Sequence, residues 1–202
     1  MCIRYIDYWG GRNFIIFMGD SRIRQLYFEF IRSISTSNDG HDTGEVPAHH
    51  DLEYLEKDLN LKIKFLWVPV VNQTMIDKFK YWNVLNFDAR PNLIIVGSAT
   101  HSIKQGNASL AALDYYRKNL TILLPFMDAL NRSTTILWVL QDPIKQELLR
   151  KDRQMITNEQ IDAYNRAAIE ILHYSNTNSV HVWSSARLVA QGLEDAILPT
   201  AK

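Results

Sequence analysis

The stretch FIIFMGDSRIRQLYFEFI, residues 14–31, indicates the fold class most directly, because an apolar run stops at Gly19-Asp20-Ser21 and a helical pattern begins at once. Asn13–Met18 is short and mostly apolar, which favours a buried strand over a buried helix. Arg22–Ile34 then repeats apolar residues at the i, i+3, i+4, i+7 spacing of a helix that packs on one side. The stretch therefore predicts a strand that turns directly into an amphipathic helix.

The same alternation continues along the chain. Strands are predicted at Leu61–Val68, Asn92–Val96, Thr134–Leu140 and Ser179–Trp183, and helices at Met75–Phe87, Leu110–Leu130, Glu159–His173 and Ala186–Leu198. Alternating strands and helices indicate an α/β fold with helices on both faces of a parallel sheet. We expect a single domain over residues 1–202, a three-layer α/β/α structure with a five-stranded parallel sheet.

Composition and the apolar runs argue against several kinds of site and segment in these residues. The 22 basic and 22 acidic residues cancel, and no basic tract suggests binding to nucleic acid. No apolar run reaches the roughly 18 residues of a membrane span, and the first residues lack the apolar core of a signal peptide. The single cysteine, Cys2, excludes an internal disulfide framework. No metal site is predicted.

Three polar clusters follow predicted strands: Gly19-Asp20-Ser21, Gly97-Ser98-Ala99-Thr100-His101 and Gln141-Asp142. Ligands of open α/β sheets collect beyond the carboxyl ends of the strands. The clusters therefore predict one site at that edge of the sheet, with Asp20 and Asp142 among its candidate substrate-binding residues.

Ser21 has two interpretations from its local sequence. Gly19 allows a sharp turn, and the free N–H groups at a helix start favour negative charge beside Ser21, as a nucleophile requires. Alternatively, Asp20 or Ser21 simply caps the helix.

The charged neighbours also have two interpretations each. Arg22 and Arg24 suit a carboxylate or a phosphate, which arginine binds through paired N–H donors, or they form a solvated helix flank. Asp142 either accepts a hydrogen bond from a substrate hydroxyl or shapes the turn before Pro143.

The histidines are not predicted to act in catalysis. His101 is near the predicted site, but its sequence neighbours offer no carboxylate partner, so a structural role is expected. His173, near a helix end, and His181, within a strand, are not expected at this edge.

Four sequons fit the N-glycosylation pattern: Asn72, Asn107, Asn119 and Asn131. With 14 Asn and 22 Ser plus Thr in 202 residues, chance alone gives about 1.5. The excess favours a glycosylated lumenal protein, with coincidence as the alternative.

Gly-Asp-Ser directly after the first strand resembles the opening signature of the SGNH (GDSL-like) esterases and acyltransferases, which have a flavodoxin-like architecture. Within that group, six stretches are similar, in order, to the lumenal domain of the sialate O-acetyltransferases. They are FMGDSRIRQLYFEFI (17–31), FLWVPVVN (65–72), IIVGSATHSIK (94–104), WVLQDP (138–143), MITNEQIDAYNRAAIEIL (155–172) and ARLVAQ (186–191).

The resemblance implies transfer of an acetyl group from acetyl-CoA to sialic acid, as CMP-sialic acid, in the Golgi. Ser21 would be the nucleophile, and the backbone N–H groups of Ser21 and Gly97 would line the oxyanion hole. Thr100 stands where SGNH esterases usually have Asn, three residues after the glycine, and is a possible third donor. Acetyl-CoA would be a donor substrate, with no bound cofactor.

The chain departs from the family in one respect that affects catalysis. The triad of SGNH enzymes ends in an Asp-x-x-His segment, and none occurs beyond residue 181; Asp195 is followed three residues later by Leu198. We expect the core of a lumenal domain without its membrane segments, nearly inactive alone because serine is a weak nucleophile without its base. The alternatives are a catalytically dead sugar- or nucleotide-binding module, or a carbohydrate esterase.

Overall fold

A computed structural model of the protein describes residues 13–35, 49–173 and 180–184. The strands are β1 (Phe14–Gly19), β2 (Leu52–Glu56), β3 (Leu61–Trp67), β4 (Leu93–Gly97), β5 (Thr135–Val139) and β6 (Val180–Trp183). The helices are α1 (Ser21–Ile34), α2 (Gln73–Val84), α3 (Thr100–Gln105), α4 (Leu110–Leu130) and α5 (Asn158–His173). The predicted helix Ala186–Leu198 lies outside the described residues.

The strands form one sheet in the order β2-β3-β1-β4-β5-β6. All neighbours are parallel except β2, which runs antiparallel to β3. The α/β prediction is confirmed, and each of the five predicted strands is present. The expected count of five is wrong, because Leu52–Glu56 adds a sixth strand at the edge.

The two faces of the sheet carry separate apolar cores. Ile15 and Phe17 of β1 pack with α1, whereas Ile16 and Met18 pack with α2, α4 and α5. This alternation follows from the two-residue period of a strand. The contribution of α1 comes from one stripe of its surface, Ile23, Tyr27 and Ile31. Helices therefore cover both faces, which gives the expected three layers.

The paths that leave β1 and β4 create a crevice. These strands are neighbours, with Gly19 paired in register with Gly97. The chain leaves β1 into α1 on one face and leaves β4 into α3 on the other, where Ile103 joins the second core. Adjacent strands whose connections diverge in this way open a ligand crevice at their carboxyl ends.

The longest helix described, α4, packs against the sheet as part of the core. It has 21 residues and buries Tyr116, Leu120, Leu123 and Met127, which recur three or four residues apart. Among the described residues, no helix combines the length and apolar character required to cross a bilayer.

Candidate active site

Ser21 is the first residue of α1 and its side chain is exposed at the crevice. The capping role falls to Asp20, whose Oδ1 accepts a hydrogen bond from the Arg22 backbone N–H at 3.0 Å. Asp20 is fully buried. Within the described part of the chain, the Ser21 hydroxyl has no hydrogen-bond partner that would turn it away from a ligand. The capping alternative therefore applies to Asp20 and not to Ser21.

Both neighbours of Ser21 are fixed to other strand ends. Asp20 Oδ2 accepts a hydrogen bond from Thr100 Oγ1 at 2.7 Å, just after β4. The Arg22 guanidinium donates to the Asp142 backbone oxygen at 2.9 Å and to its Oδ2 at 2.5 Å, just after β5. The three polar clusters therefore meet at one edge of the sheet, with Ser21 between two anchored residues.

The pairing of Arg22 with Asp142 changes what each can offer a ligand. Their charges neutralise each other, and two of the five N–H donors of Arg22 are occupied. Arg24 lies one helical turn from Ser21, and it has no ion pair with the residues described in the structure. Of the two arginines, Arg24 is the more available to an anion, although ligand binding by both stays a prediction.

Thr100 and Gly97 are at the end of β4, where the oxyanion hole is expected. The Thr100 hydroxyl has one proton, and it is committed to Asp20. A role as oxyanion donor therefore stays a prediction, and it requires that hydrogen bond to break. In the same loop, buried Ser98 donates from Oγ to the Pro69 carbonyl at 2.6 Å, which is a structural contact.

Gly19 and Gly97 allow close approach of β1, β4 and α1. A Cβ at Gly19 would lie 2.3 Å from the Gly97 carbonyl oxygen and 2.5 Å from Ile23 Cγ1. A Cβ at Gly97 would lie 2.9 Å from the Val139 oxygen and 3.0 Å from Ile23 Cδ1. Because real Cβ atoms essentially never approach within 3.0 Å, the first glycine is needed for this arrangement. The glycines thus place the start of α1 directly on the strand ends.

A cluster of three rings, Trp67, His49 and His101, adjoins the buried Asp20. Trp67 is paired in register with Gly19. His49 stacks on Trp67 with ring centroids 4.3 Å apart, and His101 meets the same ring edge-on at 5.5 Å. Neither Trp67 nor His49 was predicted as a site residue, although Trp67 is the second-last residue of the predicted strand Leu61–Val68. His173 and His181 are exposed on α5 and β6.

The sequence neighbours of His101 offer no carboxylate partner, but the fold brings one close. Burial lowers the pKa of the half-buried ring below its usual 6.5, and the Asp20 carboxylate opposes this effect. A carboxylate is therefore close, but it comes from a residue 81 positions earlier in the chain. The net result favours a neutral imidazole beside the crevice.

This pKa shift predicts a pH-dependent stability. The unfolded chain takes up a proton on His101 at higher pH than the folded chain, so the free energy of unfolding falls as pH drops below 6.5. We expect His101→Gln to reduce the loss of stability between about pH 7.5 and 5.5, measured by urea denaturation. Identical pH profiles for the parent and His101→Gln would contradict the prediction.

The four sequon asparagines have different environments. Asn107 is exposed, whereas Asn119 is 8% exposed and its Nδ2 donates to the Tyr115 carbonyl. Asn72 is the N-terminal cap of α2, and Asn131 is the C-terminal cap that follows α4. Glycosylation stays a prediction at all four, and Asn107 offers the most accessible amide. Within the described ranges, no group of three or more His, Cys, Asp or Glu residues could hold a metal ion.

Comparison with known proteins supports the resemblance seen in the sequence blocks. No protein-family model matches the chain. The chain is 33% identical over 184 residues, or 91% of its length, to N-acetylneuraminate (7)9-O-acetyltransferase from Danio rerio. It spans 22% of that relative's length. This match confirms the resemblance: the chain is similar to a fragment, about a fifth of the length, of an N-acetylneuraminate 9-O-acetyltransferase.

Proposed function

We propose that the chain is the acyl-transfer region of a sialate O-acetyltransferase, with Ser21 as the residue that carries the acetyl group. The observation that carries this proposal is the exposed Ser21 hydroxyl at the crevice, held between the anchored residues Asp20 and Arg22. The name of the Danio rerio relative supports the substrate class, because that protein is an N-acetylneuraminate O-acetyltransferase.

The chemistry has two steps. Ser21 Oγ attacks the thioester carbon of acetyl-CoA, its proton passes to a base, and CoA leaves as the thiol once protonated. A hydroxyl of the sugar then attacks the acetyl carbon on Ser21, which releases the O-acetylated sugar and returns a proton to Oγ. In both steps negative charge develops on the acetyl oxygen. The free N–H groups at the start of α1, together with Gly97, are suited to stabilise it.

The first step requires a base that takes the proton of Ser21. The resemblance assigns the base to an Asp-x-x-His histidine, and these residues contain no such segment beyond residue 181. Loss of that histidine costs on the order of 10⁶ in kcat in a serine triad. Oxyanion stabilisation and binding alone retain roughly 10³–10⁴ over the uncatalysed reaction. Acetyl-Ser21 should therefore form slowly when no base is supplied, and faster when one is added.

The acceptor is proposed to be sialic acid, most favourably as CMP-sialic acid in the Golgi lumen. Its carboxylate and phosphate are anions, and Arg24 is the cation near Ser21 that no described carboxylate neutralises. The rings of Trp67 and His101 lie beside the same crevice and give a sugar or a base an apolar surface. Acetyl-CoA is the proposed donor.

Labelled acetyl-CoA tests the proposal. Incubation of the chain with the labelled donor, followed by digestion and mass spectrometry, should place the label on the peptide that contains Ser21. Added imidazole should speed this labelling, since it supplies a base from solution. Addition of CMP-sialic acid should then move the label to the sugar.

The same assay separates the alternatives. No label on the Ser21 peptide, with or without imidazole, would contradict the proposal. Measurable calorimetric binding of CMP-sialic acid without label would instead indicate a binding module. Hydrolysis of O-acetylated sialic acid without transfer from acetyl-CoA would indicate an esterase.

A further inference from the structure

Two asparagines of α5 each hold the main chain of the segment that follows β5. Asn165 Oδ1 accepts from the Gln141 backbone N–H at 2.9 Å, and its Nδ2 donates to the Gln141 carbonyl at 2.8 Å. Asn158 does the same to Ile144, at 2.8 Å and 3.1 Å. Each amide thus satisfies both backbone groups of one residue, as a neighbouring strand would.

The spacing of the two asparagines matches the spacing of the residues they hold. Seven residues of helix rise about 10.5 Å, and three residues of extended chain span about 10 Å. Two side chains seven apart on one helix can therefore hold main-chain groups three apart on an extended segment. Asp142 lies between the two held residues, so its position is fixed from both sides.

Asp142 connects this arrangement to Ser21. Its backbone oxygen and its carboxylate accept the two hydrogen bonds from Arg22, the residue directly after Ser21. Asn165 is buried, so its two hydrogen bonds do not compete freely with water. Asn165 therefore restrains the main chain at Gln141, and the next residue, Asp142, contacts Arg22 in the first turn of α1.

We propose that Asn158 and Asn165 are positioning residues that hold Asp142 against Arg22 and so orient Ser21 in the crevice. The link to Arg22 stands on the contacts alone, whereas the consequence for Ser21 rests on the function proposed above. Neither asparagine touches a reacting atom in this scheme. Their effect is to keep Arg22, and with it the start of α1, in one position.

The first test measures how fast the guanidinium protons of Arg22 exchange with solvent, in ¹⁵N NMR spectra. The Arg22 signal is assigned by its loss in Arg22→Lys. In Asn165→Ala, we expect about tenfold faster exchange, because the charged hydrogen bonds to Asp142 lose their fixed acceptor. Asn165→Asp should have a similar effect, since a carboxylate cannot donate to the Gln141 carbonyl.

Asn83 provides the matched control. Its side-chain amide also donates to main-chain carbonyls, those of Phe79 at 3.0 Å and Phe126 at 2.8 Å. These contacts join the carboxyl-terminal turns of α2 and α4, away from the strand ends that hold Asp142. Asn83→Ala should lower stability to a comparable degree and leave Arg22 exchange unchanged. Asn158→Ala replaces Asn165→Ala if the latter does not fold.

The second test measures acetylation of Ser21 by an activated acetyl ester in a double-mutant cycle. Asn165→Ala should slow labelling in the parent but have no further effect when Asp142 is already alanine. Unchanged Arg22 exchange in the asparagine variants, or additive effects in the cycle, would overturn the inference. If Arg22 exchange is faster in the asparagine variants but Ser21 of the parent is never labelled, the contacts to Arg22 are supported and the proposed function is rejected.

Discussion

Replacement of Ser21 by alanine is expected to abolish acetyl transfer and to leave the fold intact. In a complete serine triad, loss of the nucleophile costs on the order of 10⁶ in kcat, or about 8 kcal/mol of transition-state stabilisation. In the 202-residue chain, the expected result is complete loss of acetyl label from the peptide that contains position 21. The free energy of unfolding should stay within about 0.5 kcal/mol, because the side chain is exposed and Asp20 supplies the cap.

Ser33 gives a control on the same helix. It is exposed, and its Oγ donates to the Phe30 carbonyl at 2.7 Å near the end of α1. Ser33→Ala should keep full labelling, and Ser21→Cys should accept acetyl because it keeps a nucleophile. Equal labelling of the parent and Ser21→Ala would show that the acetyl group attaches elsewhere, and the role proposed for Ser21 would fail.

The strands and helices described in the structure follow closely from the sequence where burial dominates. The predicted bounds Leu110–Leu130 match α4, and the predicted Asn92–Val96 differs from β4 by one residue at each end. These segments carry apolar residues on one stripe or in one unbroken run. Their periodicity therefore reflects the core directly.

The strand β2 was not predicted, because several of its side chains are exposed and it lacks an apolar run. Leu55 is 53% exposed, and Glu53 forms ion pairs across the sheet with Lys62 and Lys64. These lysines hold the pKa of Glu53 below its usual value. A short edge strand with charged side chains is polar enough to suggest a loop in a single sequence. Its assignment as a strand depends on its antiparallel pairing with β3.

The meeting of the three polar clusters at one edge of the sheet could be predicted, but the contacts between them could not. Three polar clusters after three strands indicated where a ligand would bind. The hydrogen bond of Thr100 to Asp20 joins residues 80 apart, and that of Arg22 to Asp142 joins residues 120 apart. Such pairs depend on the order and register of the strands, which no local pattern encodes.

The second large effect is expected at Gly19, where alanine should destabilise the protein and disturb the crevice together. The added Cβ would meet the Gly97 carbonyl at 2.3 Å, and a backbone atom cannot rotate away as a side chain does. Overpacking of this kind typically costs about 1–3 kcal/mol, and we expect the upper end of that range by urea denaturation. Because Gly19 precedes Asp20, the same shift should displace Ser21 and reduce its labelling.

Substitution of Ile23 tests whether the clash at Gly19 is with the backbone of Gly97 or with neighbouring side chains. Gly97→Ala should cost less than Gly19→Ala, because the nearest contacts at Gly97 are 2.9 Å and 3.0 Å. One of those contacts is Ile23 Cδ1, which Ile23→Val removes, so this second substitution should partly rescue Gly97→Ala in a double-mutant cycle. It should rescue Gly19→Ala much less, because the Gly97 oxygen is still in place. Equal rescue of both variants, or a stable Gly19→Ala with full labelling, would show that β1 and β4 separate easily. The close packing of Gly19 on Gly97 would then not be what positions Ser21.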